Sequence, residues 1–333
     1  MPLTRELLAV NIPDSGVTTD VECYAYERAE GTWDIAMKLR FWGTRGSIPV
    51  AGRTTVRYGG NGVCVQAQSD EGTHIVFDCG TGARPLGLTW PAAAPSALHL
   101  LLSHYHWDHV QGLPFFDPAY HHGTQLHVYG PKGVNETMDA VLAGQMRRSH
   151  FPVQWKDLRA QLVTHEIDEG VLHIGGCTIR AQWLNHTSPC LGYRLEAGSA
   201  SVVYATDHEP FAWAGAASDL AARLHHPGDR RHAEWLAGTD LLIHDAQYTD
   251  TEYATRRGWG HSPVEYIVDI AIVAGVRRLA LFHHDPARLD QQLTQLVRQM
   301  RRRTREQGSP LEIIAAAEGL ELVVPERAFA MPA

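Results

Sequence analysis

An apolar run from Leu98 to Leu102 stops at Ser103-His104-Tyr105-His106-Trp107-Asp108-His109, and Val110-Gln111-Gly112-Leu113-Pro114 follows. A run that short and that apolar reads as a buried strand, which places the H-x-H-x-D-H cluster in the loop at its C-terminal end. Imidazole nitrogens and a carboxylate at this spacing can ligate two divalent metals from one turn. His104 and His106 would serve one ion, and Asp108 and His109 the other. A solvated histidine-rich loop is the bland alternative. The strand-end position and further candidate ligands downstream weigh against it.

Those candidates also close strands. Asn185-His186 follows the strand Cys177 to Trp183, Asp207 follows Ser201 to Ala205, and His283 follows Leu279 to Phe282. A lone polar residue at a strand end can simply accept backbone hydrogen bonds, but several beside H-x-H-x-D-H suggest convergence. The expected sets are His104, His106, His186 and Asp207 around one metal, and Asp108, His109, His283 and Asp207 around the other. His284 adjoins His283, and the strand-end pattern favours His283.

Further strands are expected at Lys38 to Trp42, Val63 to Gln68, Ile75 to Phe77, Leu126 to Tyr129 (ended by Gly130-Pro131), Gly192 to Leu195 and Leu241 to Ile243. Helices are expected over residues 135–147, from Pro263 to Gly275 with Ser262 near the N-cap, and from about Pro286 onward. Two β-rich halves flanked by helices suggest an α/β fold, a four-layer αββα sandwich, over residues 37–333. Residues 1–36 form an N-terminal extension, read as an edge strand or the arm of a homodimer.

With 333 residues and 44% hydrophobic composition, the chain can bury a large core. The five cysteines are scattered with no C-x-x-C spacing, which argues against a disulfide framework or a cysteine zinc site. No signal pattern or membrane-length apolar run is seen, so the cytoplasm is the default location and no membrane partner is expected.

The chain resembles the metallo-β-lactamase-fold hydrolase superfamily, in the branch of tRNase Z and related phosphodiesterases. The resemblance runs from about Leu39 to Leu322. It rests on Phe77-Asp78-Cys79-Gly80-Thr81-Gly82, the His104–His109 motif, Asn185-His186-Thr187, Thr206-Asp207 and Phe282-His283-His284-Asp285. It implies the αββα sandwich, and it implies that Asp78 braces the metal loop through hydrogen bonds. Leu241-Leu242-Ile243-His244-Asp245-Ala246, followed by Trp259-Gly260-His261-Ser262-Pro263, is similar to the branch's acidic residue and G-H-S turn. That match implies a pair, Asp245 and His261, beside the scissile phosphate. The family generally carries Glu where this chain has Asp245, which is shorter by one methylene.

The expected activity is metal-dependent phosphodiester hydrolysis, with two divalent ions, Zn2+ first and Mn2+ or Fe2+ as alternatives. Asp108 or Asp207 would orient the attacking oxygen. His261, held in one tautomer by Asp245, would donate a hydrogen bond or a proton to the phosphate. Arg45, Ser47 and Asn61, on loops at strand ends, are candidate anion contacts. Net charge is −8, and the segment from Lys132 to Glu169 lacks the long Gly- and Pro-rich arm of the tRNA-processing members. The expected partner is therefore a small phosphodiester such as a cyclic nucleotide, with nucleic acid unlikely. A lactone, lactam or thioester hydrolase on the same scaffold, or a non-catalytic metal-binding module, are the competing readings.

Overall fold

Strands whose two faces are both apolar need a layer on each side, and this chain carries two sheets of them. The structure is a computed structural model that describes residues 35–91, 97–212 and 224–326. Residues 1–34, most of the expected N-terminal extension, lie outside that range.

The first sheet is built in sequence from β1 (Ile35–Gly43), β2 (Cys64–Ser69), β3 (His74–Phe77), β4 (Ala97–Leu101), β5 (Gln125–Pro131) and β6 (Gln161–Ile167). The second takes β7 (Gly170–Ile174), β8 (Cys177–Trp183), β9 (Leu191–Ala197), β10 (Ala200–Ala205), β11 (Leu241–Asp245), β12 (Arg278–Phe282) and β13 (Glu312–Ala315). The last strand, β14 (Glu321–Pro325), returns to the first sheet beside β1. β3 to β6 run parallel in one sheet and β10 to β13 in the other, so the carboxyl ends of both parallel sets can carry a shared site.

The inner faces of the sheets meet in a core containing Phe41, Phe77, Tyr193, Tyr204 and Phe282. Phe77 and Tyr204 stack across the two sheets with centroids 5.0 Å apart. The two tyrosines keep a polar end in the core, which each satisfies by donating to the other sheet: Tyr193 Oη to Leu102 O at 2.6 Å and Tyr204 Oη to Asp78 Oδ2 at 2.7 Å. Outside the first sheet, α1 (Ala83–Thr89), α2 (Trp107–Val110) and α3 (Met138–Gln145) are placed along the chain. Leu86, Val110 and Leu142 from them enter one outer core. Outside the second, α4 (Pro227–Leu236), α5 (Asp250–Tyr253), α6 (Val264–Val273) and α7 (Asp290–Glu306) follow, and the other outer core takes Leu236, Ile267 and Leu296. The order is helix, sheet, sheet, helix, as expected.

Three local expectations need correction. Gly130 and Pro131 do not break the sheet, because both stay in register with Glu166 and Ile167 of β6. Ser262 does not cap α6: its hydroxyl donates to His208 O at 2.5 Å, and Pro263 occupies the cap position. The C-terminal helix begins at Asp290 rather than near Pro286, since Leu289 is still extended.

Candidate metal centre

Four residues that follow strand ends around the centre have a backbone bent out of the extended conformation. Ser47, Asp78, Asp207 and His283 have φ values of 63°, 56°, 55° and 55°, and they are the non-glycine residues in the left-handed region among those described. That conformation costs roughly 1–3 kcal/mol per residue and is held only where surrounding contacts insist on it. Here it turns Asp207 and His283 toward the cluster carried by the β4–α2 connection. His104 and His106 lie in that connection, whereas Asp108 and His109 lie in the first turn of α2 rather than in a loop.

The side chains converge with an internal division. Asp207 Oδ1 lies 3.8 Å from His104 Nε2 and 3.7 Å from His186 Nε2. Its other oxygen, Oδ2, lies 3.2 Å from His109 Nε2 and 3.3 Å from His283 Nε2. His106 Nδ1 is 3.2 Å from His186 Nε2. Asp108 Oδ2 is 3.3 Å from His109 Nε2 and 3.1 Å from His283 Nε2. One carboxylate thus divides two imidazole groups between its two oxygens.

Donor atoms bound about 2.0–2.2 Å from one zinc ion at tetrahedral angles stand roughly 3.3–3.6 Å apart, and the separations here, from 3.1 to 3.8 Å, bracket that spacing. His104 Nε2 and His109 Nε2 are buried and have no hydrogen-bond partner. An orphaned buried nitrogen is costly unless something accepts its lone pair, and a divalent cation does so. The residues fit such an ion on these grounds.

The other ring nitrogens are held from behind. Asp78 Oδ2 accepts from His109 Nδ1 at 2.7 Å, while Ser103 N and Oγ donate to Asp78 at 2.7 and 2.8 Å. Gly260 O accepts from His186 Nδ1 and Gln247 Oε1 from His283 Nδ1, each at 2.9 Å. Donation from Nδ1 leaves Nε2 as the lone-pair nitrogen, aimed into the centre. Gly260, at φ 86°, comes so close that a Cβ there would stand 2.2 Å from His186 Nδ1.

Burial pushes the His104, His106 and His186 rings below the usual histidine range. Burial also opposes charge on His109, but Asp108, Asp207 and Asp78 override it and hold that ring well above the range. Asp108 and Asp207 stay well below the carboxylate range: burial works against their charge and the facing imidazoles outweigh it.

Beside this cluster Asp245 ends β11 and is fully buried. Despite its shorter side chain it reaches His261, with Oδ2 2.9 Å from Nδ1. Burial would drive the His261 ring neutral, yet Asp245 and then Asp207 push it up to about 9.

The structure separates the weaker candidates. Ser47 N donates to Asp108 Oδ2 at 2.6 Å, which ties that loop to the centre. Arg45 is a correction: it is wholly buried, donating to Gly59 O, Asp285 O and Arg288 O, so its guanidinium braces loops and meets no anion from solvent. Asn61 is likewise engaged, its backbone and side-chain nitrogens both donating to Glu318. His284 turns away from His283 and bonds Ala316 O at 2.9 Å. His208, next to Asp207 in the chain, is buried behind the site against His232.

Two contributors escaped the sequence reading. Gln247 orients His283, and Glu209 accepts from Gly258 N at 2.7 Å and Gly260 N at 2.8 Å, pinning the turn that carries His261. Neither has a motif; Glu209 stands two residues after Asp207, and that proximity was the one available signal.

A sequence model of the beta-lactamase superfamily domain matches residues 73–284. A ribonuclease Z of Mycobacterium sp. (strain KMS) is 31% identical over 269 residues, covering 75% of this chain and 85% of that protein. A ribonuclease Z of Lactococcus lactis subsp. cremoris (strain MG1363) is 27% identical over 306 residues, covering 79% and 94%. Human tRNase Z, short form, has a similar solved structure, with a TM-score of 0.58 and 18% identity over 86% of this chain and 99% of that one. These relatives overturn the expectation of a small-molecule partner with nucleic acid unlikely, since they are named for action on RNA. The inference from net charge failed because −8 is a sum over the whole chain and does not describe any one face of it.

Proposed function

The chain belongs to the beta-lactamase superfamily, in the branch that holds ribonuclease Z, and on that premise we propose that it hydrolyses phosphodiester bonds of RNA at a centre of two divalent cations. Metal-dependent hydrolysis comes with the membership; the RNA substrate, the pair of cations and the residue roles are the proposal. The observation that carries it is the division of Asp207, one oxygen facing His104 and His186 and the other His109 and His283.

His104, His106, His186 and Asp207 would hold one cation, and Asp108, His109, His283 and Asp207 the other. Zinc is the first choice for so imidazole-rich a set, with manganese and iron the alternatives that elemental analysis decides between. Cations bound there supply Lewis acidity, making water nucleophilic near neutral pH and drawing charge from a phosphoryl oxygen.

The chain's own acid–base group is His261. Its Nδ1 faces Asp245, so the second proton of the charged ring sits on Nε2. As the bond from phosphorus to the leaving oxygen breaks and the bond to water oxygen forms, Nε2 gives its proton to the leaving oxygen. A positioned acid of this kind contributes about 10²–10⁴-fold. Asp245 keeps the ring charged and in one orientation.

The test is a cleavage assay of cation-loaded protein on an RNA panel that includes tRNA precursors, run beside a lactone and thioester panel. RNA scission with silent acyl esters is the expected result. Acyl turnover without RNA scission would sink the proposal.

A further inference from the structure

We propose that Trp107 and Trp259 form a nucleobase-stacking mouth to the centre, taking unpaired bases of the RNA on either side of the scissile phosphate. The inference rests on the RNA reading above and names how that substrate is gripped.

The chain has nine tryptophans, of which Trp33 and Trp213 lie outside the described residues. Among the seven described, Trp42, Trp90, Trp155, Trp183 and Trp235 are buried or half-buried. Trp107 and Trp259 are 78% and 60% exposed. No hydrogen bond to either indole nitrogen and no ring contact to either indole is found among the described residues, whereas Trp42 and Trp183 each donate to a side chain. A single exposed apolar side chain is ordinary on a protein surface, and several gathered at one place are the informative case.

Both exposed tryptophans fall at one place. Trp107 stands between His106 and Asp108. Trp259 precedes Gly260, whose carbonyl meets His186 Nδ1. His106 and His186, 3.2 Å apart, are also where the centre opens, since His106 is exposed while His104, His109 and His283 are buried. Chain connection therefore sets both residues beside the open side, one next to His106 and the other next to the turn that meets His186.

Their backbones are rigidly held, so the exposure is not that of a loose loop. Gln111 N donates to Trp107 O at 2.8 Å and closes the α2 turn. Trp259 N donates to Arg256 O at 3.2 Å, and Glu209 fixes the amides of Gly258 and Gly260 on either side of it. A preorganised aromatic face loses little entropy on binding, and base–indole stacking tolerates any base. Stacking also supplies affinity that does not depend on neutralising phosphates.

The test uses the RNA that the wild-type protein cuts best, together with the same RNA made abasic at the two nucleotides flanking the cut bond. Trp107→Ala and Trp259→Ala should each raise KM for the intact RNA by about tenfold or more, the loss expected for one stack, and Trp→Phe should recover most of it. On the abasic RNA the same alanine variants should change KM by less than about threefold, because the partner base is already gone. Equal losses on intact and abasic RNA, or no loss on either, would overturn the stacking mouth while leaving RNA hydrolysis standing. Absence of RNA cleavage by the wild type would remove both.

Discussion

Two groups of histidines occupy adjoining regions of the molecule and differ in what surrounds them. In the cleft, His104, His109, His186 and His283 face the oxygens of Asp207 and Asp108. Behind it, His208 and His232 stack with centroids 3.9 Å apart, and His232 Nε2 meets His244 Nε2 at 3.0 Å. This second group bonds backbone instead of carboxylates: Asn185 N donates to His208 Nδ1, and His244 Nδ1 donates to Asp245 O. Burial lowers all three of its rings, His244 to about 4, so they are neutral packing groups. Both regions gather buried histidines. The carboxylates make the difference, because a cation needs their charge and a stack of neutral rings does not supply it.

The comparison breaks most directly at Asp207. Asp207→Ala should abolish phosphodiester turnover and lower cation content, while His232→Leu should keep the cation content of the wild type by elemental analysis. The loss should be well beyond the about 10–100-fold cost of disturbing a residue behind a ligand. If both variants lost cations equally, the two regions would not be distinct.

His261→Ala should retain its cations and lose about 10²–10⁴-fold in kcat, measured on RNA at saturating substrate. Full turnover with cations bound would remove His261 from the chemistry. Asp78→Asn is expected to weaken cation affinity by about 10–100-fold, read by competition with a chelator, because His109 loses the acceptor that fixes its tautomer. An unchanged affinity would make Asp78 a core residue only.

The smallest effect concerns the packing group. A ring whose folded pKa lies below its unfolded value is protonated more readily once the chain unfolds. Its stabilising share is thus full above pH 6.5 and is lost as pH falls toward the folded value. For His244, at about 4, the loss by pH 5.5 is on the order of 1 kcal/mol. His244→Asn, whose amide can replace the Nδ1 donor, should narrow the gap between denaturant stabilities at pH 7.5 and 5.5 by about that amount. An undiminished gap would mean that His244 already carries charge in the folded state.

The sequence made the centre legible because its donors fall in segments that follow strand ends, a local pattern that survives without coordinates. Cys177 to Trp183 was read with its bounds intact. His104, His106, Asp108, His109, His186, Asp207 and His283 were named, and the folded chain brings them together. What escaped depends on side chains meeting across long separations. Arg45 looked available on a glycine-rich turn and is instead enclosed by carbonyls from residues 59, 285 and 288. Glu209 and Gln247 act through neighbours that only folding supplies. Strands β6, β7, β13 and β14 were missed; all four are edge strands, and β6 and β7 have mixed burial, so their apolar pattern is weak.

The central claim is that one carboxylate serves two cations. Anomalous diffraction from crystals of the cation-loaded protein measures this directly. The account predicts two peaks, one beside Asp207 Oδ1 among His104, His106 and His186, the other beside Oδ2 among Asp108, His109 and His283. A single peak, or two peaks with Asp207 bound to neither or to one alone, would contradict it.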